Sequence, residues 1–244
     1  MDTVEIDKKE RYEQKRKDKE RETDKQKRAR AIKRSVMWIG VLLLVAGCLW
    51  ALAKIVAKNA PTTTPAELSS AVTTSDWVRG NKDSKVVLLE YADFQCPACG
   101  AYNPLLEQLY QESGDKIQIV YRNFPLSQHK NAWLAAQAAG AAGLQGKFWE
   151  MENKIFENQR QWSELANPRD TFIQYAESLG LDVNQFKKDI DSKQVKDKIS
   201  SDQNGGNLSG IDHTPTFFLN GKEIQPTSYD ELKNLITQSI KDNS

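Results

Sequence analysis

Residues 86–102 read VVLLEYADFQCPACGAY. The apolar run at the start is short, nearly continuous and bounded by Lys85 and Asp93, the pattern of a strand covered on both faces. Pro97 suits the first position of a helix, where its missing N–H leaves no bond unmade, and this makes Cys96 the N-cap. The helix reads on through Leu105, Leu106 and Leu109 to about Ser113. KIQIVYRNFP is a second strand, and KNAWLAAQAAGAAGLQ an Ala-rich helix ending at Gly146. NPRDTFIQYAESLG is a helix with Asn167 as cap, Pro168 at its first position and Gly180 at its end. TPTFFLNGKEI reads as two short strands joined by an Asn220-Gly221 turn. SYDELKNLITQSI closes the chain as a helix with a Ser228–Glu231 capping box and Leu232, Leu235, Ile236 and Ile240 on one face. The order β, α, β, several helices, β, β, α describes an α/β domain over residues 77–244.

The chain ahead of Trp77 reads differently. Residues 1–34 carry 14 Lys/Arg against 9 Asp/Glu and almost no apolar side chains, so no core forms from them. VMWIGVLLLVAGCLWALA, residues 36–53, is free of charge; as a helix it reaches about 27 Å, near the hydrocarbon thickness of a bilayer. Lys33 and Arg34 abut it, Lys54 is placed to snorkel, and Trp38 and Trp50 fall near its ends. Residues 35–58 therefore read as a single-pass anchor in the cell membrane, with the tail cytoplasmic and the C-terminal domain outside. A secretory signal peptide has a shorter apolar core and a shorter charged lead. LVAGC is similar to the lipobox of bacterial lipoproteins, although Val45 stands where leucine is usual and the apolar run continues past Cys48; the alternative is a small apolar residue inside a membrane helix. Residues 59–76, rich in Pro, Thr, Ser and Ala, read as a linker. The remaining 210 residues carry 20 Lys/Arg against 24 Asp/Glu, which gives no reason to expect nucleic-acid binding.

Cys96 and Cys99 lie two residues apart, and Cys48 is the chain's only other cysteine. A zinc site would have to add His129 and His213, the only histidines, at a spacing that matches no compact zinc module. An iron–sulfur cluster lacks thiolates. A structural disulfide would close a loop too small to constrain much of the unfolded chain. Thiol–disulfide exchange needs a thiolate at a helix N-terminus, where free N–H groups stabilise the anion, and a second thiol one turn on to resolve a mixed disulfide. Cys96 and Cys99 stand where both needs are met.

FQCPACG after a buried strand, then TPTFF before an Asn-Gly turn, resembles the thioredoxin fold. The helical stretch between them is similar to that of the DsbA-like thiol:disulfide oxidoreductases, over roughly residues 77–242. This resemblance implies a thioredoxin-like α/β fold with an inserted helical subdomain at about residues 128–209, preceded here by the membrane helix and charged tail. It implies Cys96 as nucleophile, Cys99 as resolving thiol, a cis Pro215 facing the pair, and Thr214 presenting its backbone to the substrate chain. Glu90, six residues before Cys96, matches a buried acid of the family; among apolar neighbours its pKa would rise, and it would exchange a proton with Cys99. The bland alternative is a Glu facing water at a sheet edge. No cofactor or metal is implied. The expected partners are thiol-containing secreted proteins and a quinone-linked membrane oxidase that restores the disulfide. Ala98 stands where strong oxidants of the family hold a histidine, so a milder oxidant is expected, with a Cys96 pKa between roughly 4 and 7. The alternatives are a disulfide reductase or isomerase, and a peptide-binding module without redox turnover.

Overall fold

The computed structural model describes Lys33, Met37, Trp38, Gly40, residues 42–51 and residues 66–243. The run read as a doubly covered strand is Val87–Ala92, β2, the middle strand of a five-stranded mixed sheet. Its companions are β1 (Trp77–Gly80), β3 (Gln118–Asn123), β4 (Thr216–Leu219) and β5 (Lys222–Ile224), in the order β1-β3-β2-β4-β5. β3 runs parallel to β2, with Glu90 opposite Tyr121. β4 runs antiparallel on the other side, with Tyr91 opposite Thr216. The β4–β5 turn uses Asn220 at φ 51° and Gly221 at φ 83°, the two positive values that an Asn-Gly turn supplies without strain.

The period of two along β2 sorts its side chains. Leu88, with Ile119 and Phe217, packs beneath α1 (Pro97–Ser113), through Leu106 and Leu109, and the final helix (Tyr229–Asp242), through Leu232 and Ile236. Farther along the same face, Ala92 and Tyr121 meet the helical layer. Leu89, Tyr91, Val120 and Phe218 line the opposite face. Six helices stand between β3 and β4, where the insertion was expected: α2 (Ala132–Leu144), α3 (Phe148–Glu157), α4 (Gln159–Trp162), α5 (Arg169–Ser178), α6 (Val183–Asp189) and α7 (Lys193–Leu208). The last helix is then α8. Every residue of α2 from Ala135 to Ala142 is buried. Its small side chains let α3, α5, α6 and α7 all pack on it.

Four expectations change. β1 was not foreseen; its four residues acquire strand geometry by antiparallel pairing with β3. The second half of the expected linker is part of the folded unit. Leu68 N–H donates to Gly221 O, and Arg122 donates to Ser70 O, Ala71 O and both carboxylate oxygens of Asp76. The cap of α5 falls at Pro168, with Asn167 Oδ1 accepting from Arg169 N–H instead. The capping box of α8 is also shared differently: Ser228 Oγ accepts from Glu231 N–H, while the Glu231 carboxylate reaches back to Thr227. Of the expected anchor, Met37, Trp38, Gly40 and residues 42–51 are helical and exposed. Its other residues, the tail apart from Lys33, and linker residues 59–65 lie outside the described residues. Among the described residues, no helix is long and apolar enough to cross a membrane.

Candidate active site: a thiol pair over buried carboxyls

β2 ends at Ala92 and the chain turns through Asp93–Gln95 into α1, so Cys96 becomes the N-cap and Cys99 the third helical residue. The antiparallel register of β4 brings Thr214 and Pro215, which precede it, to the same end of the sheet. The Thr214–Pro215 bond is cis. The Cys96 thiol donates to Thr214 O at 3.3 Å, which joins two parts of the chain 118 residues apart. All four residues expected at the thiol site are thus brought together.

The two thiols are made unequal by their surroundings. Cys96 is lowered to about 5, within the range read from the sequence. Donation from the Cys99 thiol does most of this; burial opposes it, and the Thr214 side chain and the N–H groups of Cys99 and Ala98 add to it. The buried Thr214 hydroxyl has no other partner, so it is free to serve a thiolate. Cys99 is pushed upward, first by burial, then by its bond to Cys96 and the nearby Glu90. Asp93 N–H, 3.5 Å from Cys99 Sγ, only partly offsets this. One sulfur is thus poised as a thiolate and the other as a thiol.

Glu90 is 5 % exposed on the central strand, which excludes the sheet-edge alternative. Burial, then the charge of Glu152, pushes its carboxyl up to about 8 against the pull of Arg79.

Four polar side chains not anticipated from the sequence hold the turn. Asp93 carboxylate accepts from Gln95 N–H, Leu126 N–H and His129 Nδ1. Gln95 Nε2 donates to Ser163 O, and its Oε1 accepts from Asn131 N–H. Gln159 Nε2 donates to the carbonyls of Phe94 and Cys96, tying α4 to the N-terminus of α1. His129, in the sequence only a candidate metal ligand, thus bonds Asp93, and His213 instead pairs with exposed Asp212. Among the described residues no three His, Cys, Asp or Glu gather as a metal site. ADFQ, directly before the cysteines, was the one local signal; Gln159 lies 63 residues from the carbonyl it holds.

The sequence model of thioredoxin matches residues 72–238. The chain belongs to the thioredoxin family. It is similar to BdbD of Bacillus subtilis, solved in its oxidised form, with 25 % identity and a TM-score of 0.62 over 73 % of this chain and 100 % of that one. The thiol-disulfide exchange protein alpha-DsbA2 of Wolbachia pipientis shares the fold at 17 % identity and a TM-score of 0.60, over 68 % of this chain and 88 % of its own. A curated relative, Na(+)/H(+) antiporter NhaA 1 of Mycolicibacterium gilvum, is 37 % identical over 152 residues, 60 % of this chain and 24 % of that protein. The chain thus spans about a quarter of that relative's length. Within this thioredoxin-family domain, a thiol of lowered pKa, a second thiol of raised pKa and a buried acid stand together at one end of the central strand.

Proposed function

We propose that the protein is a disulfide-introducing oxidase, tethered to the cell membrane by residues 35–58 with its catalytic domain outside. What supports the direction is the setting of Cys96, at the N-cap of α1 beside the Cys99 thiol and Thr214, which lowers its pKa to about 5. A thiolate stabilised in the reduced form alone favours the reduced protein, and so makes the Cys96–Cys99 disulfide more oxidising. A client thiolate attacks Cys96 Sγ and the Cys96–Cys99 bond breaks. Its electron pair stays on Cys99 Sγ, which takes a proton from Glu90. The client's second thiolate then attacks its own sulfur in the mixed disulfide, and Cys96 leaves as the thiolate. The client loses two electrons and the enzyme gains them; a quinone-linked membrane oxidase accepts them to restore the disulfide. Thr214 and Pro215, beside Cys96, are the surface on which the client chain is held. Secreted proteins with free thiols are the clients, as the outside location requires.

The reduction potential tests the direction. Equilibration in glutathione buffers should give a value of about −120 to −180 mV; one near −270 mV would make the protein a reductase. Protease added to intact cells tests the tether: the domain should be digested and the tail spared, and digestion of the tail alone would overturn it.

A further inference from the structure

We infer that Glu152 is a positioning residue of the exchange reaction, forming with Glu90 a buried carboxyl pair beneath Cys99 that holds the proton the resolving thiol needs. The inference rests on thiol–disulfide exchange at Cys96 and Cys99, in either direction.

Placement comes from the fold. Glu90 has Tyr121 as its register partner on β3, so the two share the sheet face under the helical layer. The Tyr121 ring packs on Phe148 and Trp149 in the first turn of α3, with centroids 5.4 and 6.5 Å apart. Glu152 follows those rings by four and three residues, which puts it on the same helix face, toward the sheet. There it is 2 % exposed and its Oε2 has no hydrogen-bond partner. Arg79, on β1 beside β3, lies over the Trp149 ring at 4.4 Å, and its buried Nε is also unpartnered. The Tyr121 hydroxyl is a third buried polar atom without a partner. Arg79 Nη1 donates to Glu107 Oε2 on α1 at 2.5 Å, and Glu107 is one-third exposed, so the group reaches the surface between α1 and α3.

Glu152 makes no fixed bond that would explain keeping a carboxyl there, and a lone buried carboxylate is costly. A carboxyl that keeps its proton answers both points. The charged and titratable groups coupled to the pair are Arg79 from β1, Tyr121 from β3, Glu107, Cys96 and Cys99 from the start and middle of α1, and Glu157 from α3 itself, with Asp93 from the turn before α1 acting on Tyr121. Burial pushes Glu152 up to about 8, as it does Glu90, and Arg79 is the cation opposing both. Near neutral pH the pair carries its protons. When the Cys96–Cys99 bond breaks, one proton passes from Glu90 to Cys99 Sγ. The negative charge left on Glu90 is faced by Arg79 and disfavoured by the ionised form of Glu152. Reoxidation returns the proton from Cys99. Glu152, never touching sulfur, keeps Glu90 in the acid form that Cys99 requires.

Carboxyl titration of the full-length protein labelled with ¹³C-carboxyl glutamate tests this, with Glu152→Gln and Glu90→Gln as isosteric variants. In Glu152→Gln the Glu90 titration should fall by about one pH unit or more, and in Glu90→Gln the Glu152 titration should fall by the same amount, since coupling is reciprocal. The high-pH limb of the single-turnover rate of a small thiol on the oxidised protein should move acidward with Glu90, while a merely structural role would leave that limb in place. Unchanged Glu90 and Glu152 titrations would overturn the pair. Should Glu152→Gln fail to fold, Glu90→Gln decides alone. If the wild-type protein exchanged no thiols, the functional reading would fall while the titrations still judged the pair.

Discussion

The two faces of one sheet handle buried charge in opposite ways. Toward the strap of residues 66–76, every buried charge is paired: Arg122 with Asp76, and Lys198 with Asp76 and Asp202. Asp202 also accepts from the amide and side chain of Asn123. Burial alone would raise Asp76, yet the Arg122 hydrogen bonds, Lys198 and the Thr73 amide hold it near 2. Toward α1 and α3, Glu90 and Glu152 share one cation, Arg79, and burial prevails, so both rise to about 8. Desolvation acts on both faces and still raises Asp202 against Lys198 and Asn123, so the number of partners at each carboxyl decides the outcome. A fully paired charge locks a structure, whereas an under-partnered carboxyl keeps its proton available at the pH where thiols react.

The largest expected effect breaks the chemical side of that contrast at its source. Cys96→Ala should abolish exchange and trap few client adducts. Cys99→Ala should accumulate long-lived mixed disulfides, since no thiol remains to resolve them; non-reducing gels of cell extracts distinguish the two, and the reverse pattern would swap the assigned roles. Next, Arg122→Met leaves buried Asp76 with Lys198 as its remaining cation and should cost about 3 kcal/mol in urea unfolding, the low end for a broken buried pair. Glu90→Gln should cost far less or stabilise; equal losses would erase the contrast between the faces.

The pH dependence sharpens it. The folded pKa of Glu90 lies above its unfolded value, so its favourable contribution is complete below the usual carboxylate range and disappears as pH rises through about 8. Stability of the wild type should therefore decline from about pH 5 to 8, by at most about 1.4 kcal/mol per unit for each such carboxyl, and Glu90→Gln should flatten the decline. Cys96 works with the opposite sign in the reduced protein: its contribution is complete above the unfolded thiol pKa and is lost as pH falls through about 5. Denaturant midpoints of reduced and oxidised forms, measured across pH, separate the two. The smallest effect belongs to Thr214→Val, which removes a donor to the thiolate and should raise the Cys96 pKa by about one unit, read from thiolate ultraviolet absorbance. An unmoved pKa would leave the carbonyl at Thr214 as that residue's only link to Cys96.

Local signals in the sequence were enough for the elements that carry them. VVLLE is apolar on both faces, and it became the central strand; Pro97 made Cys96 a cap; Asn220-Gly221 closed the hairpin. These are decided within a few residues, by the fixed φ of proline, the positive φ of Asn and Gly, and the period of the side chains. Glu90 was marked out by the resemblance to the DsbA-like family, and its place within an apolar run agrees with the burial observed. β1 and the strap were not legible, since Trp77–Gly80 and Ser70–Asp76 take their places from partners on β3, 38 to 52 residues away. Glu152 was hidden most completely. FWEMENKIFE offers four charged residues on one amphipathic helix, and Glu150 is exposed while Glu152 is buried. Spacing from Phe148 and Trp149 set which way Glu152 points, but only the packing of α3 over Tyr121 and Arg79 removed it from water, and removal from water is what raises a carboxyl's pKa.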